Sequence, residues 1–187
     1  EPVKVTPPPI TKKVNGKDQE DLASLTSTFK YTVDSKVPTV ADKFVLSDTL
    51  EEVLTFDGDA TVTIDGQAVT DVTVAKKDQK LTVTFDKDQV KKYEGKAVQV
   101  AFDAKIKSGY TVDQLVAKYP NGDKAAIPNK ASFVVNDNPE TEKFSNPVTV
   151  TPPPPNTPEI EKKVNGADSY NLQTRLEEFT YSLNTAM

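Results

Sequence analysis

Short runs of alternating apolar and polar residues fill most of the chain. Turn signals separate them, the pattern of half-buried strands in a sandwich. Phe29, Tyr31 and Val33 share one face, as do Phe44, Leu46 and Leu50, with Asp48 at the same parity between the last two. Val62 and Ile64 lead into Asp65-Gly66, a hairpin signal. Leu81, Val83 and Phe85 follow, and Val98, Val100, Phe102, Ala104 and Ile106 make the longest alternating run. Val112, Leu115, Val116 and Tyr119 fall at helical spacing and stop at Pro120-Asn121-Gly122. A similar short helix is predicted over Asp88 to Tyr93. The last predicted strands are Ile127 to Val135, with Ile127, Ala131, Phe133 and Val135 inward, and Phe144 to Val150. The expected fold class is all-β, a sandwich with one or two short helical turns.

The pattern also repeats. Ile10-Thr11-Lys12-Lys13-Val14-Asn15-Gly16 returns as Ile160-Glu161-Lys162-Lys163-Val164-Asn165-Gly166, an offset of 160 − 10 = 150 residues. The match continues through Leu22 to Leu172, Phe29 to Phe179 and Tyr31 to Tyr181. Each copy follows a proline run, and Val3 to Pro9 matches Val148 to Pro154. These runs read as final strands passing into stiff polyproline connectors. The expected organisation is a tail of one repeat with its linker (1–9), a complete repeat (10–151), a proline-rich linker (152–157) and the truncated start of the next repeat (158–187). The last piece holds at most two strands, too few to fold alone.

Three polar residues interrupt apolar faces. Lys12 lies between Ile10 and Val14, Asp48 between Leu46 and Leu50, and Asn129 has the parity of Ile127, Ala131 and Phe133. Lys13 is by parity solvent-facing. A buried ammonium without a partner is unfavourable, and one that loses its charge becomes a nucleophile.

Composition narrows the functional classes. Hydrophobic content is 36%, with 14 Pro, 7 Gly and no Trp, lean but compatible with one thin β-core. Net charge is −5 with scattered basic residues, which argues against a nucleic-acid surface. No run of about 18 apolar residues exists to span a membrane. No leader precedes Glu1, so a secretion signal is expected outside this stretch. Cysteine and histidine are both absent, which removes disulfides, thiol catalysis, the commonest general base and most transition-metal sites. Asp57-Gly58-Asp59 and Asn136-Asp137-Asn138 are acidic turns without the spacing of a calcium loop, so no metal and no cofactor is expected. A turnover enzyme is not expected.

The three intruders can do chemistry together. Desolvation favours a neutral Lys12 amine and a protonated Asp48. The amine can attack the Asn129 side-chain carbonyl while Asp48 stabilises the developing oxyanion, giving an amide crosslink and free ammonia. The plainer alternatives are a buried Lys12–Asp48 ion pair and an Asn129 that serves a turn after Pro128. Asn146 is the rival amide, since it shares parity with Phe144, Val148 and Val150.

The motifs Ile10-x-Lys12-x-Val14-Asn15-Gly16, Phe29-x-Tyr31-x-Val33, Phe44-x-Leu46-x-Asp48-x-Leu50, Ile127-Pro128-Asn129-x-Ala131 and Ser145-Asn146-x-Val148-x-Val150 resemble the isopeptide-forming domains of Gram-positive adhesins and fimbrial proteins. The closest type is the collagen-adhesin-like, DE-variant immunoglobulin fold. The resemblance covers residues 10–151 and restarts at 160. It implies Lys12 and Asn129 as crosslink partners, Asp48 as the catalytic carboxyl, and Lys162 as the equivalent lysine of the next repeat. It also implies an extracellular protein attached to the cell wall through other parts of its parent.

The expected function is a structural stalk or adhesin repeat with one autocatalytic crosslink. Its expected partners are neighbouring repeats of the same chain, and the repeat itself is expected to be monomeric. The alternative is a module gripping a host protein or glycan, which an exposed aromatic or apolar patch would favour.

Overall fold

A computed structural model describes residues 7–154. The truncated copy at 158–187, Lys162 within it, and residues 1–6 lie outside the described residues.

Strand β1 (Ile10–Val14) ends in Asn15-Gly16, with φ of 49° and 77°. Both residues of a tight type I′ turn need such left-handed angles, which Asn tolerates and Gly adopts freely. Val14 and Lys17 exchange backbone hydrogen bonds of 2.8 and 2.9 Å across it. Val14-Asn15-Gly16 is therefore the reversal that ends the lysine strand.

The chain continues through β2 (Gln19–Asp21), β3 (Thr28–Lys36), β4 (Phe44–Thr49) and β5 (Leu54–Phe56). Next come β6 (Thr61–Ile64), β7 (Gln67–Val69), β8 (Thr73–Lys77) and β9 (Lys80–Phe85). Helix α1 (Lys87–Tyr93) precedes β10 (Ala97–Ile106), and α2 (Val112–Lys118) follows it. Thr111 and Gln114 close a reciprocal capping box at the start of α2. The chain then forms β11 (Pro120–Asn121), β12 (Lys124–Ala125), β13 (Ile127–Asn129), β14 (Ala131–Val135), β15 (Asn138–Phe144) and β16 (Val148–Thr151).

One sheet runs β1-β3-β10-β6-β7, with β5 on the far end of β10. The other runs β15-β14-β4-β9-β8, and a small sheet β13-β16-β2 adjoins them. Strand pairing is antiparallel except between β16 and β2. The alternating residues meet in one core, as the pattern predicts: β10 buries Val98, Val100, Phe102, Ala104 and Ile106. Tyr31 packs between Phe29 and Phe102, at centroid distances of 5.4 and 5.5 Å, and Phe44 packs between Phe85 and Phe133.

Two predicted strands come out differently. Ile127 to Val135 is two strands in different sheets: Ile127–Asn129 pairs with β16, and Ala131–Val135 pairs with β4. Lys130, exposed, marks the crossing. Phe144 to Val150 also divides, at Ser145-Asn146-Pro147, where Pro147 has no N–H to continue a ladder. The bend breaks the parity count, so Phe144 is 50% exposed and Asn146 is exposed rather than inward.

The incoming connector is held to the domain. Pro8 is buried, its carbonyl accepts from Lys143 Nζ at 3.1 Å, and the Pro9 carbonyl accepts from Ser35 Oγ at 2.7 Å.

Candidate functional site

The three intruding polar residues are all buried. Lys12 (0% exposed) comes from β1 in one sheet, Asp48 (3%) from β4 in the other, and Asn129 (4%) from the end of β13. Asp48 stands opposite Ala131, two residues beyond Asn129, so the β4–β14 register brings carboxyl and amide to one region. Lys12 stands opposite Val33 and reaches across the core: its Nζ lies 2.5 Å from Asp48 Oδ2. The ammonium also sits 4.0 Å from the Tyr31 ring centroid and 5.0 Å from that of Phe102. Lys13 is half-exposed and pairs with Asp18, as its parity predicts.

Burial pushes the Lys12 pKa down, against the opposing charge and hydrogen bond of Asp48. Burial likewise pushes the Asp48 carboxyl up, against the charge and hydrogen bond of Lys12 and the nearby Asn129 amide. The pair is thereby moved toward neutral amine and protonated acid. A cavity of only about 10 Å³ borders Asp48, lined mostly by apolar side chains such as Val33, Leu46, Leu81 and Phe102. The Tyr31 hydroxyl is held above its usual pKa by burial and by the charges of Asp48 and Glu51.

Among the described residues, the buried side-chain polar atoms without a hydrogen-bond partner are Tyr31 Oη, Asp48 Oδ1 and both amide atoms of Asn129. Asn129 is near enough to Asp48 to affect its titration, yet its amide falls short of hydrogen-bond geometry. An unsatisfied buried polar atom costs about 1–3 kcal/mol, and several of them gathered beside one buried lysine call for a specific reason. Asn129 also borders an outer groove of about 800 Å³ with Glu51, Pro128, Lys130 and Phe144.

Asn146 is differently employed. Its Oδ1 accepts the Lys12 backbone N–H and its Nδ2 donates to the Lys12 carbonyl, both at 2.9 Å. The acidic turns are occupied by protein groups as well. Lys76 Nζ donates to the Gly58 carbonyl, and Asn136 Oδ1 accepts from the Asp42 and Lys43 amides.

Sequence reasoning placed Tyr31 and Phe102 in the core but gave them no part at the lysine. It also gave Ser145 no role, although Ser145 Oγ accepts the Ala131 N–H at 2.9 Å. The only signal for Ser145 was its place beside Asn146 in the quoted motif.

The electrostatics give a pH prediction. In the intact pair, a proton moving from Lys12 to Asp48 leaves the bound count unchanged, so stability does not register it. Asp48→Ala removes what holds the Lys12 pKa up and leaves desolvation. Folded Lys12 then binds a proton less readily than in the unfolded chain, where it has its ordinary value of 10.5. Between those two values the unfolded state carries the extra proton. Stability should therefore rise with pH, by at most about 1.4 kcal/mol per unit, and level off above the unfolded value. Urea midpoints of Asp48→Ala should climb from pH 7 to 10; a flat series would mean that Lys12 stays charged in the fold.

No family model matches the chain. It is 98% identical over all 187 residues to Platelet adherence protein A of Streptococcus gordonii, and spans about one-twentieth (5%) of that protein's length. The fold is similar to BcpA, the major pilin subunit of Bacillus cereus, with TM-score 0.64 and 30% identity over 79% of this chain and 41% of that one. It also resembles the N-terminal domain of the Streptococcus gordonii adhesin Sgo0707, with TM-score 0.60 and 16% identity over 77% of this chain and 32% of that one, a likeness of fold alone. These relatives are pilins and adhesins, structural or binding proteins rather than enzymes. The fold is that of the immunoglobulin-like β-sandwich domains found in Gram-positive surface pilins and adhesins.

Proposed function

We propose that residues 10–151 are a load-bearing stalk repeat of an extracellular protein, closed on itself by an amide bond between Lys12 and Asn129. The observation that carries this reading is the cluster of orphaned buried atoms at Asp48 and Asn129, beside a lysine whose pKa is pushed down. Such a cluster is unfavourable in a finished fold but suits a site about to react. Neutral Lys12 Nζ attacks Asn129 Cγ while protonated Asp48 donates to Asn129 Oδ1 and stabilises the oxyanion. Asp48 then relays a proton from Nζ to Nδ2, the Cγ–Nδ2 bond breaks, and ammonia leaves toward the outer groove. One amide forms, one carboxamide is consumed, and Asp48 ends as it began. Juxtaposition by the fold contributes ~7–11 kcal/mol of the barrier in well-oriented cases.

Asn129 supports the reaction better than Asn146, because both polar atoms of the Asn146 amide are already bonded to the Lys12 backbone. The repeat is joined through proline connectors to neighbours at 1–9 and 158–187, and the parent chain is anchored to the cell wall through its other parts. The exposed large hydrophobics among the described residues are Val40 in the β3–β4 loop, Val74 on β8 and Phe144 on β15. That scatter favours a spacer over a module gripping a host molecule. Platelet adherence, in the name of the similar streptococcal protein, we assign to other parts of such a parent.

Intact-protein mass spectrometry tests the bond. The chain should weigh about 17 Da less than its sequence requires, one ammonia for one amide. Lys12→Ala, Asp48→Ala and Asn129→Ala should each restore the full mass. An unmodified wild-type mass would sink the proposal, and a deficit lost in Asn146→Ala but kept in Asn129→Ala would move the bond to the other amide.

A further inference from the structure

We infer that Ser145-Asn146 is a positioning device that holds the backbones of both reacting strands. The inference rests on the crosslinking reaction proposed above and assigns it two residues that do not touch the reacting atoms. Strand β1 pairs with β3 along one edge, Lys12 opposite Val33. The Lys12 N–H and C=O point to the other edge, where β1 has no ladder partner. The chain passing that edge contains Pro147, which cannot offer an N–H. The Asn146 carboxamide, one acceptor and one donor on a planar group, takes the place of the missing peptide, with both bonds at 2.9 Å.

The preceding residue grips the other reactant's strand. Ser145 N–H donates to the Ala131 carbonyl at 2.8 Å, and Ser145 Oγ accepts the Ala131 N–H at 2.9 Å. Its hydroxyl proton goes to the Asn146 carbonyl at 2.8 Å, which ties the two residues together. Ala131 lies two residues from Asn129, across the point where the chain changes sheets. One dipeptide therefore fixes the backbone that carries the nucleophile and the backbone next to the electrophile. The sandwich alone leaves that relation to side-chain packing, since β1 and β13 share no ladder.

Reaction between two fixed side chains is steep in distance, and a displacement of about 1 Å can cost about 100-fold in rate. Asn146→Ala should accordingly slow ammonia loss by about 10–100-fold. Unreacted protein would then accumulate after expression and lose mass over time at constant temperature. Asn146→Asp keeps the acceptor for the Lys12 N–H, loses the donor to its carbonyl, and should also react slowly. Ser145→Ala, which removes the hydroxyl's two bonds, should do likewise.

The readout is the rate per folded molecule, from intact mass together with the folded fraction by circular dichroism. Melting of the same substitutions in an Asp48→Ala background reports their effect on stability where no bond forms. A slowed rate with a preserved folded fraction supports the positioning role. A wild-type rate in Asn146→Ala and Asn146→Asp, or a rate that falls only as the folded fraction falls, overturns it while the bond itself stands. Peptide mapping that finds the bond at Asn146 overturns it too. A wild type that never loses ammonia overturns the reaction and this role together.

Discussion

Asn129→Ala should melt roughly 10–20 °C below the wild-type protein, the larger of two effects expected from losing the crosslink. The bond closes a loop of 129 − 12 = 117 residues. On the chain-entropy account used for disulfides, a closure of that span removes about 5 kcal/mol of freedom from the unfolded state. For a domain of this size each kcal/mol moves the midpoint by about 2–4 °C. Asn129 is the cleanest probe because its unreacted amide makes no hydrogen bond, so truncating it removes little native stabilisation beyond the crosslink. Lys12→Ala should fall further, since it also leaves the Asp48 carboxyl buried without its ion pair and opens a cavity between Tyr31 and Phe102. Scanning calorimetry of the three proteins gives the order directly. A wild type and Asn129→Ala within a few degrees of each other would contradict the bond.

Under load the difference should be one of length. Force applied at the two ends enters along β1 and leaves along β16. With Lys12 joined to Asn129 it crosses the bond, and the residues between stay slack. Only about 25 residues at the two ends can then extend, roughly 90 Å at about 3.5 Å each. Asn129→Ala should release about 400 Å more, the contour of the 117-residue loop. Optical tweezers on a tandem with reference domains would read this as a missing versus a full unfolding step. A full-length step from the wild type would rule out the crosslink as the load path.

How much of this was legible in the sequence depends on where periodicity survives. The run Val98 to Ile106 has five inward positions and no interruption, and it is the central strand of its sheet. Lys12 and Asp48 were legible because each sits between buried neighbours of the same parity, Ile10 and Val14 for the first, Leu46 and Leu50 for the second. Asn129 kept its parity although the predicted strand breaks at Lys130, because only one residue separates the two pieces and both Asn129 and Ala131 stay buried. Asn146 lost its parity because Pro147 and the bend before it reset the count. Strands of three residues, such as β2, β5 and β7, are too short to show a period. Nor does alternation say which strand faces which: that β4 lies beside β14, which brings Asp48 near Asn129, is a matter of sheet order. The Ser145 and Asn146 contacts depend on the same order.

The grip on the incoming connector has a mechanical consequence. A polyproline segment has no internal hydrogen bonds, so its carbonyls are free to be held by neighbours. With Pro8 and Pro9 fastened by Lys143 and Ser35, those two residues move as part of the domain. The folded unit therefore starts at Pro8 rather than at Ile10, and these two prolines carry load into β1 along a direction set by the sandwich.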